Sequence, residues 1–122
     1  MTIKLSIAEG LAELTPAGPL EPPLATSLSG VVQTSSRKLF STDDAQISTG
    51  FWETEPGRSR WEFLERGEII HVLSGAMTVQ EDGRDPIDVR DGDVVVFPIG
   101  WRGVWDVTER LRKLYVIYRH TP

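Results

Sequence analysis

From Val31 onward the chain is a succession of short apolar runs, each stopped by turn residues at intervals of about 8–12 positions. The stops are chemically specific: Thr42-Asp43-Asp44, Pro56-Gly57, Arg66-Gly67, Asp82-Gly83, Asp91-Gly92 and Ile99-Gly100. Asp-Gly favours tight hairpins because both residues tolerate positive φ. This spacing is that of an all-β sandwich or barrel. It predicts strands over 37–40, 45–53, 60–65, 68–73, 75–81, 86–89, 93–97, 103–108 and 112–119.

The first third has a different texture. Residues 3–14 allow a short helix with Ser6 as its cap and Gly10 weakening it. Pro16, Pro19, Pro22 and Pro23 follow, and a segment so rich in proline can be neither a helix nor a central strand. Residues 15–30 therefore read as an extended arm along the surface or toward a partner, with a loose tail as the alternative. The chain divides into an N-terminal arm, 1–36, packing on the barrel or a partner subunit, and the barrel itself, 37–122.

A chain of 122 residues holds one domain with a real core. Its net charge of -5 and lack of any basic run argue against nucleic acid or an anionic membrane as a partner. The absence of cysteine excludes disulfides, thiolate metal sites and a cysteine nucleophile. Glu9 and Glu13 interrupt the apolar run a signal peptide needs, and nothing approaches the roughly 18 apolar residues of a membrane helix. A cytoplasmic location is the expectation. There is no nucleotide-binding glycine loop and no serine in a strand–turn–helix elbow.

Several strands are apolar on both faces. Ile70 and Val72 alternate with Ile69 and Leu73, and Val94–Phe97 and Leu114–Tyr118 read similarly. Both faces of such a strand must be covered. One cover is the barrel interior; the other is the arm or a second subunit, which points to a homodimer.

Two spacings in this stretch resemble the cupin superfamily, whose motifs run Gly-x5-His-x-His-x3–4-Glu-x6-Gly and Gly-x5-Pro-x-Gly-x2-His-x3-Asn. Glu68 and Gly75 match the end of the first; Gly92, Pro98 and Gly100 match the start of the second. The surrounding segments, GFWETEPG, GEIIHVLSG, GDVVVFPIGWRGVWDV and LRKLYVIYR, are similar to the small (S)-ureidoglycine aminohydrolase-type cupins. The resemblance covers roughly residues 40–118 and implies a double-stranded β-helix, a jelly-roll barrel that protects its sheet edges by closure. Gly75 and Gly92 are expected where a strand reverses, and Pro98 with Gly100 at a corner.

The same alignment places the superfamily's metal-binding histidines at Trp61, Phe63 and Gly103. None of these supplies a donor, and a first-row metal needs three or four. Glu68 alone remains, so no metal or other cofactor is expected and a divalent ion is disfavoured. Glu62, Glu65, Glu68 and His71 recur at a helical spacing, but on a strand 68 and 71 face opposite ways. His120 reads as solvated.

Aromatic side chains take the histidines' place. Trp61, Phe63 and Trp105 are expected to line or plug the barrel above Ile70 and Val107, with Gly103 making room for the indole. They are either plain core or the walls of a pocket for a small organic ligand, with Trp61, Phe63, Glu68, Ile70, Gly103 and Trp105 as its residues. An inward Glu68 is costly unless Arg102, Lys113, a ligand or water satisfies it. Arg112-Lys113 reads as the solvated start of an edge strand. Trp52 and Trp101 fit a pocket mouth or a dimer interface equally well.

Three functions follow as alternatives. One is a metal-free cupin binding a small molecule. Another is an aminohydrolase- or isomerase-type enzyme with Glu68 as acid/base. The last is a structural or regulatory module with a filled barrel.

Overall fold

Residues 1–119 are described by the computed structural model. They form helix α1 (Ile7–Ala12) and strands β1 (Thr15–Pro19), β2 (Thr26–Ser27), β3 (Gln33–Ser41), β4 (Ile47–Thr54) and β5 (Gly57–Glu62). Strands β6 (Arg66–Glu81), β7 (Ile87–Arg90), β8 (Val94–Phe97) and β9 (Arg102–Arg119) follow. His120 lies outside the described residues.

The two long strands are the frame. Strand β9 pairs with β6 over most of its length. On its other side, its first half pairs with β5 and its second half with β4. Strand β6 carries β8 beside Glu68–His71 and β7 beside Ala76–Val79. All pairings are antiparallel, and the sheet, ordered β1-β3-β4-β9-β5-β2 with β6 branching from β9 and carrying β7 and β8, curls into a jelly-roll barrel.

The expected breaks inside these long strands are absent. Residues 68–73 and 75–81 form one strand, as do 103–108 and 112–119. Gly75, at φ 102°, does not reverse its strand. The β6–β9 register shifts on either side of it, and a Cβ there would run into the Arg110 carbonyl. A bulge absorbs the bend, so the strand continues through the corner. The break expected at Arg66-Gly67 falls at residues 63–65 instead. Gly67 is needed because the Tyr118 ring lies across it, with no room for a Cβ. Gly92, at φ 90°, does sit in a tight turn.

The proline-rich segment forms both edges of the sheet path, the positions proline tolerates. Strand β1 pairs with β3 at one end, and β2 with β5 at the other. The chain between them must therefore cross from one edge to the other, and it buries Leu20 and Ala25 in the barrel core. Helix α1 starts in a capping box, Ser6 Oγ accepting from Glu9 N and the Glu9 carboxylate from Ser6 N. It packs Gly10 against the Phe51 ring, where a Cβ would collide. Arg37 holds its far end, donating to the Glu9 carbonyl and pairing with Glu13 at 2.9 Å.

Alternation along β6 is as the sequence predicts. Ile70 and Val72 are fully buried, whereas Ile69 is on the outside. The outer face of β8 also exposes Val94 and Val96.

Candidate functional site

One end of the barrel is packed with rings. Trp61 and Trp105 stack at 3.9 Å between centroids, and Phe63 stacks on Phe97 at 5.4 Å. Trp101 meets both Phe63 and Phe97 edge-on. The loop that carries Phe63 and the Pro98–Trp101 turn are tied by Phe63 N donating to the Trp101 carbonyl and Gly100 N to the Phe63 carbonyl. Trp61 Nε1 donates to Ser59 Oγ, while Trp105 Nε1 is buried without a hydrogen-bond partner among the described residues.

Two of these rings, Trp61 and Phe63, together with Gly103 stand where the cupin motif has its metal-binding histidines, and a metal does not fit. A Cβ at Gly103 would strike the Gln80 carbonyl and the Trp101 ring, leaving no space for an imidazole. The fourth position, Glu68, already holds a cation. Its Oε2 accepts from Lys113 Nζ at 2.7 Å, with the residues 4% and 2% exposed. Among the described residues no group of three or more His, Cys, Asp and Glu could hold a metal ion.

Lys113 is therefore not the solvated start of an edge strand. Strand β9 is flanked by β6 on one side and by β5 and β4 on the other, and Leu111, Lys113, Tyr115 and Ile117 share its inward face. That register drives the Lys113 ammonium into a box of three indoles, 4.4 Å from the Trp52 centroid, 4.8 Å from Trp105 and 5.4 Å from Trp61. Burial pushes the amine below the ordinary lysine range; the adjacent Glu68 carboxylate opposes this, and Arg66 adds to it. Arg102, the other partner considered for Glu68, faces Glu62 at 3.7 Å.

Beside the ion pair lies a cavity of about 360 Å³. Its floor is Glu68, Lys113 and Trp61, its sides Trp52, Tyr115 and Ile117, and its roof the arm from Glu21 to Leu24. Arg66 reaches the roof by donating to the Leu24 carbonyl at 3.2 Å while its guanidinium lies over Phe63. Burial, reinforced by Glu68, raises the Tyr115 hydroxyl above the ordinary tyrosine value.

Of the residues singled out from sequence, Trp61 and Glu68 line this cavity. Phe63, Ile70 and Trp105 are wholly buried, and Gly103 abuts Trp101. Trp52 stands at the cavity wall; Trp101 belongs to the ring cluster. Lys113, Tyr115 and the proline roof were not foreseen as cavity residues. Alternation in Leu111-x-Lys113-x-Tyr115-x-Ile117, three apolar or aromatic residues sharing a face with one lysine, is the signal that could have placed Lys113 inside.

Comparison with known proteins supports the same architecture. A protein of unknown function from Pseudomonas syringae pv. tomato, of the DUF861 family, superposes with a TM-score of 0.73 at 25% identity. The match covers 88% of this chain and 45% of that one, so the chain spans about half its length. A DUF861 family protein from Thermotoga maritima is 32% identical over 53% of this chain and 73% of its own, with a TM-score of 0.50. The EutQ protein of Clostridium difficile shares the fold at 24% identity and a TM-score of 0.61, covering 72% of this chain and 64% of that one. No curated protein matches the chain. The model of the EutQ-like cupin domain matches residues 41–115, a span that includes Trp52, Trp61, Glu68 and Lys113. The chain belongs to the EutQ-like cupin family.

Proposed function

We propose that this cupin binds a small organic ligand without a metal ion, in the cavity between the proline-rich roof and the Glu68–Lys113 pair. The observation that carries this reading is a cavity of about 360 Å³ floored by a buried ion pair and walled by Trp52, Trp61 and Tyr115. Apolar walls with a few convergent polar groups are the usual make-up of a small-molecule site. The ligand has an apolar or aromatic body and one polar group for the Lys113–Glu68 end.

A thermal-shift screen against ureido compounds, small carboxylates and sugars tests it, with quenching of Trp52 and Trp61 emission as a second readout. A ligand at 100 times its Kd adds about 2.7 kcal/mol of stability. A stoichiometric divalent ion in protein purified without chelator, or no response to any compound, overturns the reading.

The buried carboxylate favours a second reading, an aminohydrolase- or isomerase-type enzyme in which Glu68 moves a proton in a low-dielectric site. Turnover of a ureido compound that is lost in Glu68→Gln separates it from simple binding. We also propose a cytoplasmic homodimer joined through the outer face of β6 and β8, where Ile69, Val94 and Val96 are exposed. Light scattering at the monomer mass would remove the dimer.

A further inference from the structure

We infer that Lys113 is a carbonyl-capturing amine: the cavity takes an aldehyde or ketone with an apolar body, and Lys113 Nζ joins it as an iminium held against Glu68. This rests on the reading that the cavity binds a small organic molecule, and goes beyond it by naming the ligand class and the bond formed.

The geometry supplies each part. Lys113 and Glu68 line the cavity together, with Nζ and Oε2 2.7 Å apart, so a proton can pass between them without a relay. The chain has three lysines, and the other two, Lys4 and Lys38, are exposed. Trp52 and Trp61 offer flat apolar surface for the body of the carbonyl compound. The charged and titratable neighbours of the amine are Glu68 and Arg66 on β6, Tyr115 on its own strand, and Glu21 on the roof. Burial of the amine, against only one carboxylate in contact, favours release of its proton.

The step balances within the site. Glu68 takes a proton from the Lys113 ammonium, and the freed lone pair adds to the carbonyl carbon as the C=O π pair moves to oxygen. The added nitrogen passes a proton to that oxygen, giving a carbinolamine. Protonated Glu68 then delivers its proton to the hydroxyl, the C–O bond breaks, and water leaves. Ammonium plus carbonyl has become iminium plus water, with Glu68 again a carboxylate. The positive charge starts as the ammonium and ends as the iminium on the same nitrogen, inside the indole box where Trp52, Trp61 and Trp105 favour a cation. Nothing is oxidised, and no further reactant is required.

The test treats the full chain at neutral pH with benzaldehyde or propanal and sodium cyanoborohydride, then maps the adduct by peptide mass. Lys113 should be alkylated at least about tenfold faster than Lys4 or Lys38, because its amine has Glu68 beside it in the cavity as a proton acceptor. Glu68→Gln should slow labelling at Lys113 by about tenfold or more, and Lys113→Arg should abolish that adduct. Label confined to Lys4, Lys38 and the N-terminal amine overturns the proposal. If benzyl alcohol still stabilises the protein in that case, the pocket reading stands and only the imine falls. If neither benzyl alcohol nor benzaldehyde shifts the melt and Lys113 stays unlabelled, both fall.

Discussion

Replacing Lys113 by Met removes the cation from a site that keeps its carboxylate. Glu68 is 4% exposed and Lys113 2%, so the carboxylate left behind stays largely out of bulk water. Breaking a buried pair from one side costs about 3–5 kcal/mol, because the surviving charge is left uncompensated. That is a large share of the roughly 5–15 kcal/mol by which a domain of this size is stable. At about 3–5 °C per kcal/mol the melting temperature should fall by about 9–25 °C. The double variant Lys113→Met/Glu68→Leu removes both charges from the same apolar surroundings and should recover most of the loss, or exceed the parent by about 1–4 kcal/mol. Urea unfolding at pH 7, followed by tryptophan emission with unchanged m-values, measures all three proteins. A single-variant cost below about 1 kcal/mol would place the pair in the range of a solvated surface bridge and refute the reasoning. A double variant no better than the single would refute it as well.

Other outcomes are expected from the same structure. Lys113 has a folded-state pKa below its unfolded value, so the unfolded chain binds more protons between the two, and stability should rise with pH across that window toward about 10.5. Tyr115, raised above its ordinary 10.0, acts in the opposite sense once pH passes that value, so the gain should flatten there; alkaline denaturant titrations of the parent and Lys113→Met isolate the lysine part. Gly10→Ala, which in an exposed helix gains about 1 kcal/mol, should here cost about 1–3 kcal/mol because its Cβ meets the Phe51 ring. Gly103→His restores the motif histidine, yet should lower the melting temperature and bring no zinc uptake in equilibrium dialysis, since Trp101 and the Gln80 carbonyl fill that space.

Much of the scaffold is local chemistry, and local chemistry is legible in a sequence. Turn residues at Asp91-Gly92 and Pro98 to Gly100, and the alternation of Ile70 and Val72 with Ile69, follow from φ preferences and a two-residue period. Ser6 as a cap is equally local. The long strands misled because Gly75 looks the same in a chain whether it reverses a strand or bends it. Only the approach of the Arg110 carbonyl from β9 tells the two apart.

The site divides along the same line. The amino-acid sequence by itself determined an all-β barrel whose motif histidines are replaced by Trp61, Phe63 and Gly103, and it pointed Glu68 inward. Tertiary structure alone decided that Lys113, 45 residues away, is the partner that neutralises it, and that Trp52 and Trp105 close around the ammonium. It also decided that the prolines roof a cavity rather than trail into solvent. The physical reason is that a side chain's face is set by its own strand, whereas the charge or ring that meets it is set by the register of strands distant in the chain.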